Sequence, residues 1–411
     1  MKEPKLRFKA DDGSKFPDWE SKTINSFATC IAGATPSTKI NDYWENGNIP
    51  WMSSGEVNKE LIFDTDKKIT KLGYQKASTK MVPANTVVMA LAGQGKTRGR
   101  VALTKIDLCT NQSLCSILNN GTVNSVYLYQ YLKTQYNNLR QISSGEGTRG
   151  GLNLQLVGNF TVQVPSLPEQ KKIADFLSAV DARISEQEAY VADLKERKKG
   201  FLQQIFSQKL HFKADDGSEF PEWNTTRFGD ICDLITKGTT PSGYDKSGSV
   251  NFIRIDAIVN GKIQIKKCNR ISKNVNDTEL KRSVLHKNDI LVGIVGSLGT
   301  VAIVTEDVLP ANTSQQLAII RLKNTSGLKF IKTILESTIF AGYIKKSAQT
   351  GAQPSLNLGQ MNDFMFPLPS SDEQKKIADF FSALDEQIAN EQAVLGDWKL
   401  LKKGLLQQMF I

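Results

Sequence analysis

EQKKIADFLSAVDARISEQEAYVADLKERKKGFLQQIFS, residues 169–207, returns as EQKKIADFFSALDEQIANEQAVLGDWKLLKKGLLQQMFI at 373–411, with 22 of 39 positions identical. A second pair accompanies it: LRFKADDGSKFPDW at 6–19 returns as LHFKADDGSEFPEW at 210–223, with 11 of 14 identical. Both pairs lie 204 residues apart (169 to 373, 6 to 210). One shared offset of that length marks a duplicated domain; a solenoid repeats every few tens of residues. The blocks between are far more diverged but keep a skeleton in register. Gly33-Ala34-Thr35-Pro36-Ser37 answers Gly238-Thr239-Thr240-Pro241-Ser242, Pro83-Ala84-Asn85 answers His286-Lys287-Asn288, and Leu152-Asn153-Leu154 answers Leu356-Asn357-Leu358. The chain therefore divides into a variable module at 1–165, a helical spacer at 166–208, a second module at 209–368 and a second helical spacer at 369–411. The FKADDGS segment opens the chain and also follows the first helix, while the second helix ends at Ile411. That permutation places the two ends at equivalent points of a pseudo-two-fold arrangement.

The spacer blocks read as long amphipathic helices. Ile173, Phe176, Leu177, Val180, Ile184, Val191, Leu194, Phe201 and Ile205 recur at helical spacings, and Ile377, Phe380, Phe381, Leu384, Ile388, Leu395, Trp398, Leu405 and Met409 repeat the stripe. Roughly 40 residues at 1.5 Å each give a rod of about 60 Å. A single stripe needs a cover. A two-fold axis would lay the helices antiparallel, with Ile173, Phe176, Val180 and Ile184 packing in the seam with Ile377, Phe380, Leu384 and Ile388. The alternative is that each helix packs onto its own module as ordinary core. Lys195, Arg197, Lys198 and Lys199, with Lys399, Lys402 and Lys403, read as a solvated face.

The variable blocks, roughly 20–165 and 224–368, mix short β-branched runs with turn clusters. Residues 85–90, 101–104, 290–295 and 301–304 read as strands; 126–139 and 328–345 read as helical. The fold class expected is mixed α+β: two sheet-containing domains joined by two long antiparallel helices in a coiled-coil-like rod.

Composition narrows the chemistry. The 411 residues carry a formal charge of +10 and a pI near 9.2, which suits a polyanionic partner. No run of about 18 apolar residues occurs, and the charged opening MKEPKLRFKADDGSKF lacks a signal-peptide core, so a cytoplasmic location with no membrane partner is expected. The five cysteines include no CxxC pair and read as reduced structural thiols. With only His211 and His286 beside them, no metal site or catalytic triad is expected.

Loop residues able to contact nucleic acid are Tyr43, Trp44, Gln94, Lys96, Arg98, Arg100, Thr148 and Arg149 in the first block. The second offers Tyr244, Lys246, Ser297, Thr300, Gln349 and Gln353, together with Arg254, Gln315 and Gln316. Arginine and lysine suit phosphates or guanine edges; asparagine and glutamine suit adenine. The stretch Ala90-Leu91-Ala92-Gly93-Gln94-Gly95-Lys96-Thr97 fits a loosened phosphate-binding loop. Such a loop must open a helix, whereas residues 98–103 read as a turn into a strand. The second repeat has no lysine there. An ATPase or nuclease is therefore the weaker reading, as is a coiled-rod scaffold that touches only proteins.

Two diverged modules alternating with two near-identical helices, each opening EQKKIADF behind Ser166-Leu167-Pro168 or Pro367-Leu368-Pro369, resemble the specificity subunit of type I restriction-modification systems. The resemblance covers essentially the whole chain. It implies that each variable block is a target recognition domain reading one half of an asymmetric, two-part site in double-stranded DNA. The helices would fix the unread spacer and dock two methyltransferase (modification) subunits, with restriction (motor and nuclease) subunits completing the enzyme. It further implies no catalytic residue and no cofactor in this chain, S-adenosylmethionine, ATP and Mg being held by the partners. The Gly33 and Gly238 loops, and the glycine-rich loops before Leu152 and Leu356, would face DNA.

Overall fold

The computed structural model describes residues 4–93, 97–143, 151–348 and 354–410. Two compact units result, residues 1–188 with 393–411 and residues 189–392. Strands β1 (Glu20–Thr23), β2 (Ala28–Ala32), β3 (Ile49–Met52), β4 (Leu61–Ile62), β5 (Lys67–Ile69), β6 (Met81–Val82), β7 (Val87–Ala90), β8 (Val101–Thr104), β9 (Leu108–Thr110), β10 (Leu114–Asn119) and β11 (Thr161–Val164) lie in the first unit. Helices α1 (Lys71–Lys76), α2 (Ser125–Thr134), α3 (Tyr136–Gln141) and α4 (Leu154–Gly158) join them, and α5 (Leu167–Phe206) begins there. The strands form sheets of order β2-β10-β7-β8-β4 and β5-β3-β9-β6, with a separate β1-β11 pair.

The second unit repeats the plan with β12 (Asn224–Arg227), β13 (Cys232–Lys237), β14 (Val250–Ile253), β15 (Ile258–Val259), β16 (Lys262–Ile263), β17 (Asn269–Ile271), β18 (Ile290–Gly293), β19 (Val301–Ile303), β20 (Ala311–Thr313), β21 (Leu317–Leu322) and β22 (Met365–Leu368). Its helices are α6 (Lys273–Asp277), α7 (Leu328–Leu335), α8 (Thr338–Ser347) and α9 (Leu358–Asn362), and α10 (Ser371–Met409) begins there. The sheets β13-β21-β18-β19 and β17-β14-β20 match β2-β10-β7-β8 and β5-β3-β9, and β12-β22 matches β1-β11. Even the parallel pairing recurs: β3 runs parallel to β9, and β14 to β20.

The repeated skeleton now has physical reasons. Asn85 and Asn288 both take left-handed φ, 61° and 69°, and donate their N–H to the Thr104 and Val304 carbonyls; asparagine tolerates that turn better than most residues. Asn153 and Asn357 cap α4 and α9, accepting from the Leu156 and Gln360 amides. Each helical stretch read in the variable blocks is two helices. Ser337 accepts from the Ile339 amide and restarts the chain as α8, while the first stretch breaks at Gln135.

The two long helices, 40 and 39 residues, carry proline no deeper than the second residue of α5. The first unit's core takes Ile173, Ala174 and Leu177 from the start of α5 and Met409 from the end of α10, with Phe410 just beyond. The second unit's core takes Ile377, Ala378 and Phe381 from the start of α10 and Leu202, Ile205 and Phe206 from the end of α5. Within each unit the segments run antiparallel: Asp181 meets Lys402 and Glu188 meets Lys399 in one, while Tyr190 meets Gln387 and Phe201 meets Phe380 in the other. Both expected roles of the stripe are therefore present, helix packing and module core. At about 1.5–3 kcal/mol per buried large apolar side chain, the core contacts are a main anchor of each helix.

Two lysines read as solvated are not. Lys402 is 9% exposed and pairs with Asp181, which also accepts from Gln130 at 2.8 Å. Lys198 is bonded to Asp385 at 2.6 Å and Glu336 at 3.2 Å. Burial alone would lower its pKa, but the Glu336 and Asp385 carboxylates outweigh it and hold the ammonium above its ordinary range. Their aliphatic stems cover apolar surface while the heads find carboxylates, which a solvated-face reading of a lysine cluster overlooks.

The near-identical segments turn out to bind each other. Glu169 is fully buried, receives the Arg7 guanidinium at 2.8 and 3.0 Å, and accepts from the Trp19 indole at 3.2 Å. Glu373 accepts from the Trp223 indole at 2.8 Å. Lys172 pairs with Asp11 at 2.5 Å and Lys376 with Asp215 at 2.6 Å. Phe8 stacks edge-on against Phe176 at 5.6 Å, and Phe212 against Phe380 at 5.7 Å. Gln170 and Gln374 donate to the Pro165 and Pro369 carbonyls, each at 2.8 Å. The motif EQKK is thus one half of a clip and FKADDGS-F-P-x-W the other. The pseudo-cyclic order also holds locally: the Leu6 amide donates to the Gln408 carbonyl at 2.9 Å, as Leu210 does to Gln204 at 3.2 Å.

Candidate nucleic-acid interface

In the second unit, β13 and β14 end beside the turn that follows β20. Gly238 lies so close to this turn that a Cβ there would overlap the Thr313 and Ser314 carbonyl oxygens. The packed loops leave an open cavity of about 430 Å³ lined by Lys237, Thr240, Arg254, Ser314, Gln315 and Gln316. Tyr244 stands at its side, half exposed and edge-on to Phe252 at 5.6 Å; Val295 comes from the β18–β19 hairpin. Arg254 makes an exposed 3.5 Å contact with Asp256. Ser314 is 6% exposed, and its hydroxyl has no hydrogen-bond partner among the described residues. Among the described residues no lining side chain is a carboxylate.

The corresponding place in the first unit is built differently. Gly33 packs on Thr110 as Gly238 does on Thr313, and a Cβ there would meet the Thr110 carbonyl. Strand register equates Ala32 with Lys237, since they face Cys115 and Ala318, and Ser53 with Arg254, since they follow Met52 and Ile253. Thr35 donates to Gln112 at 2.5 Å and closes the loop. Ser53 is spent on a capping box with Glu56.

Of the residues expected to contact nucleic acid, Tyr244 lines the cavity, as do Arg254, Gln315 and Gln316, while Lys246 is exposed on the same loop. Ser297 and Thr300 stay on the β18–β19 hairpin, where the Thr300 hydroxyl donates to the Ser297 carbonyl at 3.1 Å. Tyr43 and Trp44 are half-buried; the Trp44 ring meets Trp51 at 5.0 Å, and its indole N–H donates to Ser37 O at 3.1 Å. Arg98 is half-buried, and Arg100 donates to Asn58 at 3.1 Å. Gln94, Lys96, Thr148, Arg149, Gln349 and Gln353 lie outside the described residues. The helix seam residues divide by depth: Ile173, Val180, Ile377 and Ile388 are buried, Ile184, Phe380 and Leu384 are half-buried, and Phe176 is 37% exposed beneath Phe8.

Sequence reading missed a second cluster. Arg100 and Arg140 lie over the Tyr136 ring at 5.8 and 5.7 Å, and Arg140 donates to its hydroxyl at 2.9 Å, holding that group below the ordinary tyrosine range. Tyr136 and Arg140 sit four residues apart on α3, but Arg100 comes from the end of the β7–β8 connection, so no single spacing announces the three together. Lys237, Thr240 and Ser314 were also missed individually, although the Gly238 loop was marked. The phosphate-loop candidate lies between two strands that pair antiparallel, β7 and β8, and among the described residues between them there is no helix. Among the described residues no group of three or more His, Cys, Asp or Glu is placed to hold a metal, and no helix is long and apolar enough to cross a membrane.

The pairing of one scaffold with two sets of polar side chains has relatives. The type I restriction modification DNA specificity domain matches residues 17–191 and again 221–395, displaced by the same 204 residues (17 to 221) as the repeats. The MjaIX specificity subunit of Methanocaldococcus jannaschii is 29% identical over 290 residues, 67% of this chain and 65% of that relative's length. The MjaVIII specificity subunit of the same organism is 24% identical over 393 residues, 93% of this chain and 89% of its own. The crystal structure of a type I S subunit from M. genitalium shares the fold at a TM-score of 0.59 and 15% identity, covering 100% of this chain and 99% of that one. With the family's domain matched over most of its length, and matched twice, the chain belongs to the type I restriction-modification DNA specificity family, as a non-catalytic DNA specificity subunit with two target recognition domains.

Proposed function

We propose that residues 20–165 and 224–368 each read one half of an asymmetric bipartite site in double-stranded DNA. The domains meant are 1–165 and 209–368, with 166–208 and 369–411 as helical spacers that set the unread gap and dock two modification subunits. Restriction subunits join the same assembly. S-adenosylmethionine, ATP and Mg belong to those partners.

The observation that carries this reading is the contrast between the two units. Strand order and clip repeat, while the polar residues at the corresponding loop site differ, Ala32 and Ser53 against Lys237 and Arg254. Phosphate contacts position a protein and base contacts specify, so two readers of unlike sequences need one scaffold and two loop chemistries. The test is to replace residues 20–165 with the recognition domain of a relative and map methylated bases made by the assembled complex. One half of the methylated sequence should change and the other persist; an unchanged sequence overturns the proposal.

A further inference from the structure

We infer that the cavity between the Gly238 loop and the Ser314–Gln316 turn is a seat for one phosphodiester group of the target DNA, present in the second recognition domain and without a counterpart in the first. The inference rests on the DNA-reading role proposed above and names a contact within it.

The argument is one of complementarity. Lys237 and Arg254 bring two cations to one cavity, and the Thr240 and Ser314 hydroxyls and the Gln315 and Gln316 amides can all donate. Among the described residues no lining group is anionic, so the cavity suits a ligand that supplies acceptors and negative charge. The Ser314 hydroxyl supplies a second, independent sign: it is buried and unpartnered among the described residues, and leaving such a group unsatisfied is unfavourable. A phosphate in the cavity meets both cations, and a χ1 rotation of Ser314 would bring its buried hydroxyl to a non-bridging oxygen. The Arg254–Asp256 contact is solvent-exposed and weak enough for a phosphate to displace. In the first domain, Ala32 and Ser53 supply neither cation, and the Thr35–Gln112 bond occupies the loop's own donor.

A phosphate contact and a guanine-edge contact make opposite predictions. Losing a cation from a phosphate weakens binding to all sequences and flattens the salt dependence, whereas losing a base contact relaxes one position of the site. The experiment measures Kd for the complex assembled with modification subunits, on cognate and non-cognate duplexes, between 50 and 200 mM salt. It compares the wild type with Lys237→Ala, Arg254→Ala, Arg254→Lys and Ser314→Ala. Each alanine variant that removes a cation should weaken cognate and non-cognate binding alike. With a slope of about 0.9 per neutralised phosphate, a Lys237→Ala/Arg254→Ala double variant should lose about 3.5-fold less affinity than the wild type over the fourfold salt increase, and each single variant should show part of that change. Arg254→Lys should keep most of the salt dependence, and Ser314→Ala should weaken binding with the slope unchanged. Lys237 and Arg254 are exposed, so their substitution leaves the core intact. Unchanged Kd and slope in both cation variants would overturn the inference, as would an unchanged slope with relaxed methylation at one base. A wild-type complex that showed no salt-dependent DNA binding would instead defeat the DNA-reading role itself.

Discussion

The clips and the loop sites of the two units were copied from the same plan and have had different histories. Trp19 and Trp223 donate to equivalent glutamates, Lys172 and Lys376 reach equivalent aspartates, and Phe8 and Phe212 meet equivalent phenylalanines. A few strands away, Ala32 and Ser53 stand where the other unit has Lys237 and Arg254. The difference separates residues that hold a recognition domain on its helix from residues that line an open loop cavity, where the proposed function puts the ligand. The former answer to a fixed partner inside the chain; on the proposed function, the latter would be free to answer to different DNA.

That comparison can be broken by substitution. The largest effect is expected at the clip tryptophans: Trp19→Ala, at a buried indole, should cost about 3–5 kcal/mol, and Trp223→Ala, at a half-buried one, less. Denaturant unfolding of the two variants checks this, and equal small effects would show that the clips are not anchors. Next come the shared glycines. Gly33→Ala and Gly238→Ala each push a methyl into a carbonyl oxygen and should each destabilise by about 2 kcal/mol. A loss at one site alone, by the same measurement, would show that the loop-to-turn packing is not common to both units.

The smallest effect sharpens the one place where the clips differ. Glu169 receives Arg7, while the equivalent position near Glu373 holds His211, and burial raises the Glu373 carboxyl above its ordinary range against the opposing pulls of the Trp223 N–H and of His211. A carboxyl raised in the folded state contributes stability in its protonated form, so the second unit should lose stability as pH climbs through that raised value. His211→Arg should remove the loss and add about 1 kcal/mol at neutral pH, read from unfolding midpoints between pH 4 and 7. A variant no more stable than the wild type across that range would mean that Arg7 and His211 are interchangeable.

Much of this was legible in the sequence because a duplicated chain carries its own comparison. The 204-residue offset follows from self-similarity, the helix stripes at Ile173 and Ile377 from periodicity, and the strand at 101–104 from an apolar run bounded by turn residues. What escaped were contacts between segments distant in sequence. Nothing in EQKK says that its glutamate meets an indole 150 residues earlier, or that Lys198 and Lys402 turn inward to carboxylates. The loop site was only half visible: Gly238 marks a close approach, but Ser314 gains meaning only once its hydroxyl is seen buried and without a partner among the described residues. Trp44 shows the converse, a residue type suited to nucleic acid whose ring packs on Trp51.

The central claim is that each unit reads its own half of the site on a shared frame. Its most direct measurement replaces residues 20–165 with a second copy of 224–368, keeping both clips and both helices, and maps the bases methylated by the assembled complex. The account predicts a symmetric bipartite site in which the second domain's half-sequence appears twice in inverted orientation; persistence of the wild-type asymmetric site would contradict it.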